Sequence, residues 1–437
     1  MTEQIQQTSA QQTGAQQNGV QQTGARETGT QAGIAPRRKR AYLERLVINV
    51  SHDCNLRCAY CYADTGAYGD QRKLLAQPLG RKIVDDFFSR FGKVGRIQFF
   101  GGEPFMNVRG IEDLCGYITE TCRNESMPLP RFTLISNGTL VNDDVIDLIN
   151  RYRIAVTVSL DGTREINDAN RVYASGKGSY EKVIENIRIL KDRTEEPKQI
   201  EGTYSAKHVE QDFSIADFLK FMARELDVRS LHMPWVVGEA YNGTGIVPTD
   251  ANVARTAKAF RDGVSASLQS LLSPDLEDVV LFAPLERALL RELSGGGGER
   301  EHICPAGSGT LAVGADGKVS PCFMFTNNRK FEFTRVGQFD DSTFDRLRKE
   351  FVGRLAVPTG ENGRSYETGS SCAGQNYDVT GEVDQVLEAS RHLQLDIDNH
   401  IRDELAAVKA DADKWEWLQA KLLLHQIALA GAATTSC

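Results

Sequence analysis

The chain contains no apolar run long enough to span a bilayer, so a membrane-spanning helix is not expected. It carries no excess of basic residues. Its 51 lysines and arginines are outnumbered by 59 aspartates and glutamates, for a formal net charge of -8 at pH 7. A general electrostatic footprint for nucleic acid is therefore missing. The N-terminus lacks the charged-then-apolar layout of a secretory signal. Without an export signal, the 9 cysteines do not read as a disulfide framework, and a reducing cytoplasm is the expected location. No second Cys-x2-Cys accompanies Cys58 and Cys61. Zinc, or simply buried thiols, is the alternative reading of these cysteines, but zinc usually takes two paired knuckles.

Cys54, Cys58 and Cys61 lie in the run Ser51 to Tyr62, directly after the apolar stretch Leu46 to Val50. Three thiols this close cannot all pair with one another, yet they can converge on one metal centre. A [4Fe–4S] cluster normally takes four protein thiolates, so three leave one iron open for a substrate or cofactor. The Cys-x3-Cys-x2-Cys spacing, with Tyr60 before the last cysteine, resembles the radical S-adenosylmethionine (radical SAM) superfamily. The resemblance implies that the open iron chelates the amino acid end of SAM and that Tyr60 flanks the adenine.

Residues 1–42 open with a five-residue repeat, seen as Gln-Gln-Thr-Gly-Ala at 11–15 and again at 21–25. Such a composition cannot bury a core and is expected to be a disordered low-complexity tail. The basic run Arg37 to Arg40 at its end reads as a solvated hinge or as a contact for an acidic peptide. Residues 43–245 alternate short β-branched or aromatic runs with amphipathic stretches, which argues for an α/β domain with a parallel sheet. Active sites of such sheets form at the C-terminal ends of the strands, where the cysteine loop falls. Residues 246–300 read as a helical linker, with an N-cap region at Pro248 to Asp250 and a break at Ser294 to Gly298. Residues 301–381 are turn-rich and 382–437 are helical again. The resemblance implies a partial (β/α)6 radical SAM barrel, followed by a small Fe–S twitch/SPASM-like domain and a helical C-terminal extension.

Further motifs follow the strands. Phe99-Phe-Gly-Gly-Glu-Pro104 puts paired glycines where backbone must approach a ligand. By resemblance, Gly101, Gly102 and Glu103 hold the SAM amino group. Ser136 to Thr139 and Ser159 to Gly162 read as turns or as sites, and Asn137, Ser159 and Asp161 are candidates for the ribose and carboxylate of SAM. The stretch Asp161 to Arg171, with Gly176 to Tyr180 and Gly202 to His208, resembles the peptide-modifying radical SAM enzymes, including thioether-forming maturases and anaerobic sulfatase maturases. Arg171 is expected at the SAM carboxylate, the alternative being an ion pair with Asp168.

Cys304, Cys322 and Cys372 form a second set, with Ala315 to Lys318 predicted as the hairpin turn that brings the first two together. The segment resembles a reduced SPASM/twitch extension and implies at most one auxiliary [4Fe–4S] cluster. Its fourth position is left open: a substrate ligand, His302 and Cys437 compete. Cys115 and Cys122 lie on one face of a predicted helix and are expected in the core. Trp235 reads equally as cavity wall or core.

The expected function is a radical SAM oxidoreductase that generates a 5′-deoxyadenosyl radical to cross-link or oxidise a residue of a ribosomally made precursor peptide. An electron donor such as flavodoxin or ferredoxin is implied. The competing expectation is a twitch-type dehydrogenase acting on a small molecule such as an aminosugar.

Overall fold

The computed structural model describes residues 41–238, 243–275, 278–293, 302–338, 340–356 and 372–430. The repeat, the Arg37 to Arg40 cluster, the Ser294 to Gly298 break and Cys437 lie outside the described residues.

The strands are β1 (Ala41–His52), β2 (Lys73–Leu74), β3 (Phe91–Gly101), β4 (Arg131–Ser136), β5 (Ala155–Ser159), β6 (Gln199–Glu201), β7 (Ser230–His232), β8 (Leu281–Phe282), β9 (Thr310–Val313), β10 (Lys318–Ser320) and β11 (Thr334–Arg335). They form one sheet in the order β11-β10-β9-β1-β3-β4-β5-β6-β7-β8, with β2 paired to β1 off this path. Neighbours from β1 through β8 along that order are parallel.

Helices α1 (Gln77–Arg90), α2 (Val108–Asn124), α3 (Asp143–Tyr152), α4 (Arg164–Asn170), α5 (Tyr180–Arg193), α6 (Ala206–Glu210) and α7 (Ile215–Glu225) fall between the strands. Then come α8 (Asp250–Leu272), α9 (Ala283–Leu293), α10 (Asp341–Glu350), α11 (Ala373–Thr380), α12 (Glu388–Lys409) and α13 (Ala412–Ala430). Local chemistry fixes several starts. Asn142, Ser214 and Thr249 accept backbone N–H bonds at the first turns of α3, α7 and α8.

β1 has sheet neighbours on both edges, and from Leu46 onward every residue is buried. It therefore reads as a near-continuous apolar run rather than an alternating one. Cys115 and Cys122 are buried on α2, in the core as expected.

The structure departs from the expected organisation at two places. The segment 246–300 is not wholly helical, because Leu281 and Phe282 add a seventh parallel strand beside β7. Two residues are too few to carry a periodic signal. The sheet also continues past β1: Thr310 to Val313 pair parallel with Arg45 to Ile48. The predicted hairpin is present, with β9 and β10 antiparallel and Gly317 at φ +80° in its turn.

Candidate active site

The loop after β1 is held by the ends of its neighbours. Gly102 N–H donates to Ser51 O (2.9 Å) and Glu103 N–H to Asp53 O (2.8 Å), docking the end of β3 on the cysteine loop. A Cβ at Gly101 would overlap the Ser51 carbonyl, and one at Gly102 the Asp53 carbonyl. Only glycine permits this approach. On the other side, Arg57 N–H donates to Val172 O (2.7 Å) and Ala59 N–H to Asn170 O (2.8 Å). The segment ending in Arg171 is thereby bound to the cysteine loop.

Burial raises the Cys54 thiol to about 12 and the Cys58 thiol to about 11, with further upward pushes from neighbouring acids and thiols. Cys54 feels both Cys58 and Cys61, so the three sulfurs share one neighbourhood. Among the described residues no group of three or more His, Cys, Asp or Glu is arranged around a single metal ion. In a [4Fe–4S] cube each thiolate binds its own iron, a wider arrangement than a mononuclear site requires.

Tyr60 links three elements. Its hydroxyl donates to Asp161 Oδ2 (2.7 Å) and accepts from Arg171 Nη1 (2.8 Å). Asp161 is fully buried, and its Oδ1 accepts from Thr203 N–H (3.0 Å). His208 contributes to the same knot. Ser205 N–H donates to its Nδ1 (3.0 Å), which leaves Nε2 to donate to Asp161 O (2.6 Å). Asp161 is thus committed to protein partners.

Glu103 is committed in the same way. Its carboxylate accepts from Phe105 N–H (3.0 Å), Ser136 Oγ (2.9 Å) and Asn137 N–H (2.7 Å). Burial raises its pKa against the pull of these donors. Asn137 Nδ2 donates to Asn55 Oδ1 (2.8 Å) and lies 3.7 Å from Cys54 Sγ.

A cavity of about 480 Å³ opens over the C-terminal ends of the strands. Cys54, Cys58, Cys61, Tyr60, Gly101, Gly102, Asn137, Ser159 and Arg171 all line it, whereas Glu103 and Asp161 do not. Arg171 keeps a buried Nε without a partner. Its expected alternative partner, Asp168, instead accepts from Tyr180 N–H (2.8 Å). Trp235 fills both of its predicted roles: it lines the cavity and packs edge-on against Phe260, with ring centroids 5.1 Å apart.

The second cysteine set also gathers. Burial drives the Cys322 thiol well up, with Cys372 and Cys304 the next contributions. Cys372 lines the same cavity as the first set, but Cys304 and Cys322 do not. His302, two residues before Cys304, pairs its backbone with Ala356. The cavity also takes in Glu201 and His232, Nδ1 to Oε1 3.7 Å, and Arg287 and Arg391. The sequence reading missed these four. The only available signal was that Glu201 and His232 close their strands.

Both expected cofactors can be weighed against these residues. Three thiols in one neighbourhood suit metal ligation, which stabilises the thiolate, and burial makes Cys54 and Cys58 costly to ionise without a metal. A buried, unpaired guanidinium N–H beside them suits a carboxylate.

Residues 48–221 match the family described as the Radical SAM superfamily. The uncharacterized protein MJ0907 of Methanocaldococcus jannaschii is 32% identical over 149 residues, 34% of this chain and 49% of that protein. The chain thus spans about half the length of that relative. The cysteine-type anaerobic sulfatase-maturating enzyme of Clostridium novyi is 25% identical over 336 residues, 73% of this chain and 83% of that protein. Among solved structures, native anSMEcpe with bound AdoMet and Cp18Cys peptide aligns with a TM-score of 0.66 at 17% identity, over 85% of this chain and 99% of that one.

Proposed function

Because the chain carries a radical SAM domain, which uses a [4Fe–4S] cluster and SAM, we propose that it modifies a residue of a ribosomally made peptide. One observation carries the reading: a single cavity joins Cys54, Cys58 and Cys61 to Cys372 of the second cysteine set. The similarity to a sulfatase-maturating enzyme over most of that protein's length, and to a fold solved with a bound peptide, supports a peptide over a small molecule.

In this reading Cys54, Cys58 and Cys61 hold the SAM-binding cluster, and Cys304, Cys322 and Cys372 hold an auxiliary one. When bound, the cluster and SAM together supply a 5′-deoxyadenosyl radical that takes a hydrogen atom from an unreactive carbon. The chain's residues do the rest. Gly101 and Gly102 let backbone approach SAM, Arg171 takes its carboxylate, and Tyr60 is held in place by Asp161 and Arg171. Asn137 and Ser159 offer polar groups to the same ligand. Glu103 acts from beneath, fixing the Ser136–Asn137 turn. Phe100, Trp235 and Phe260 give the cavity an apolar wall, which keeps water from a reactive intermediate. An electron donor such as flavodoxin or ferredoxin supplies the reducing electron.

The test incubates the anaerobically reconstituted full-length protein with SAM, dithionite and synthetic peptide pools. The expected result is 5′-deoxyadenosine release that rises with peptide, together with an altered peptide mass. Release that responds to aminosugars but to no peptide would replace this reading with a small-molecule dehydrogenase.

A further inference from the structure

The cavity is positive although the protein is acidic. Among its described lining residues are three arginines, Arg171, Arg287 and Arg391, and one carboxylate, Glu201, in a chain of net charge -8. A concave site lined by one sign of charge concentrates ligands of the opposite sign. Arg171 is occupied by the SAM role proposed above. The other two come from α9 and α12, outside the matched residues 48–221.

The placement follows helical spacing. Pro284 and Arg287 line the cavity from α9, and Leu387, Arg391 and Gln394 line it from the start of α12. Residues three and four apart share one helix face, so each helix turns one arginine toward the chamber. Arg391 is only weakly neutralised. Arg391 Nη2 donates to Glu388 Oε1 (2.6 Å), an i,i+3 pair whose side chains are 41% and 67% exposed. Exposed pairs of this kind contribute little, so an entering carboxylate can take the guanidinium. Arg291 and, less strongly, Arg287 pull against the burial that raises the Asp398 carboxyl of α12. Neither Glu388 nor Asp398 lines the cavity.

We propose that Arg287 and Arg391 form a carboxylate-binding clamp on the helical wall, and that the substrate peptide presents an acidic group to it. The inference rests on the peptide reading and names the chemistry by which that peptide is chosen. An Asp or Glu side chain and a free C-terminus share this chemistry. Guanidinium forks bind either carboxylate in the same way.

The experiment titrates three fluorescein-labelled peptide pools against the reconstituted full-length enzyme with SAM present. One pool carries Glu at fixed positions, the second carries Gln there, and both are C-terminally amidated. The third is the Gln pool with a free C-terminus. Wild type is expected to bind the Glu pool or the free-terminus pool about tenfold more tightly than the amidated Gln pool at low salt, and the winning pool names the source of the carboxylate. High salt should shrink the preference.

The double variant Arg287→Glu with Arg391→Glu should abolish the preference. Arg391→Gln alone, at a half-exposed position, should weaken it about threefold and covers the case in which the double variant does not fold. Arg151→Glu, on the distant α3 surface, should keep it. Equal binding of all pools by wild type, or a preference that survives the double variant, overturns the clamp. Modification is scored separately by peptide mass. A wild type that prefers acidic pools but alters no peptide refutes the peptide reading, and with it the substrate's identity, while carboxylate binding by Arg287 and Arg391 stands.

Discussion

Glu196 is the clearest titrating group remote from the cysteines. Its Oε2 accepts from the N–H groups of Val156 (2.9 Å) and Lys198 (3.2 Å). Burial nevertheless lifts its pKa from 4.5 to about 7. A carboxyl raised on folding contributes stability that is complete below its unfolded pKa and lost as the pH rises through the folded one. Relative to Glu196→Gln, the wild type should lose about 3 kcal/mol between pH 4.5 and pH 8. Urea unfolding of both proteins across this range checks it, and parallel stability curves would contradict it. At the same scale, the sequence identified Tyr60, Asn137, Ser159 and Arg171 as candidates, and all four line the cavity. It could not reveal that Glu103 and Asp161 face inward, because a motif gives a residue's position along the chain and not the donors waiting around it. Arg287 and Arg391 were invisible for a related reason: a lone arginine on an amphipathic helix has the pattern of a solvated face.

At the scale of elements, the critical joint is where the end of β3 meets the loop after β1. Gly101 has φ +139°, a conformation open to glycine alone, and its missing Cβ leaves room for the Ser51 carbonyl. Gly101→Ala should push β3 off the loop and weaken SAM binding more than tenfold, about 1.4 kcal/mol or more. Anaerobic equilibrium dialysis with labelled SAM reads this directly, and unchanged affinity would show that the close approach is dispensable. Strands β1 and β3 to β7 were legible because each spells a short apolar run followed by an amphipathic helix. The two-residue β8 was not, since its identity as a strand lies in its pairing with Ser230 and Leu231. The pairing of β9 with β1 was hidden as well. The sequence marked a hairpin at Ala315 to Lys318 but carried no signal for which strand that hairpin would join.

For the whole molecule, the continuous sheet ties the segment after 301 to the barrel. β9 covers the edge of β1 from Arg45 to Ile48, and an exposed central strand invites edge-to-edge association. A fragment ending at residue 293 should therefore aggregate. A soluble fragment with a cooperative melt would contradict that coupling. The first cysteine set and Cys372 of the second face one cavity within this sheet-built frame, and each set is proposed to hold its own cluster. The most direct measurement is an iron and sulfide count on the anaerobically reconstituted protein with Cys54, Cys58 and Cys61 all changed to alanine. About four irons and four sulfides per chain are expected, against about eight of each in the wild type. A triple variant with no iron would contradict it.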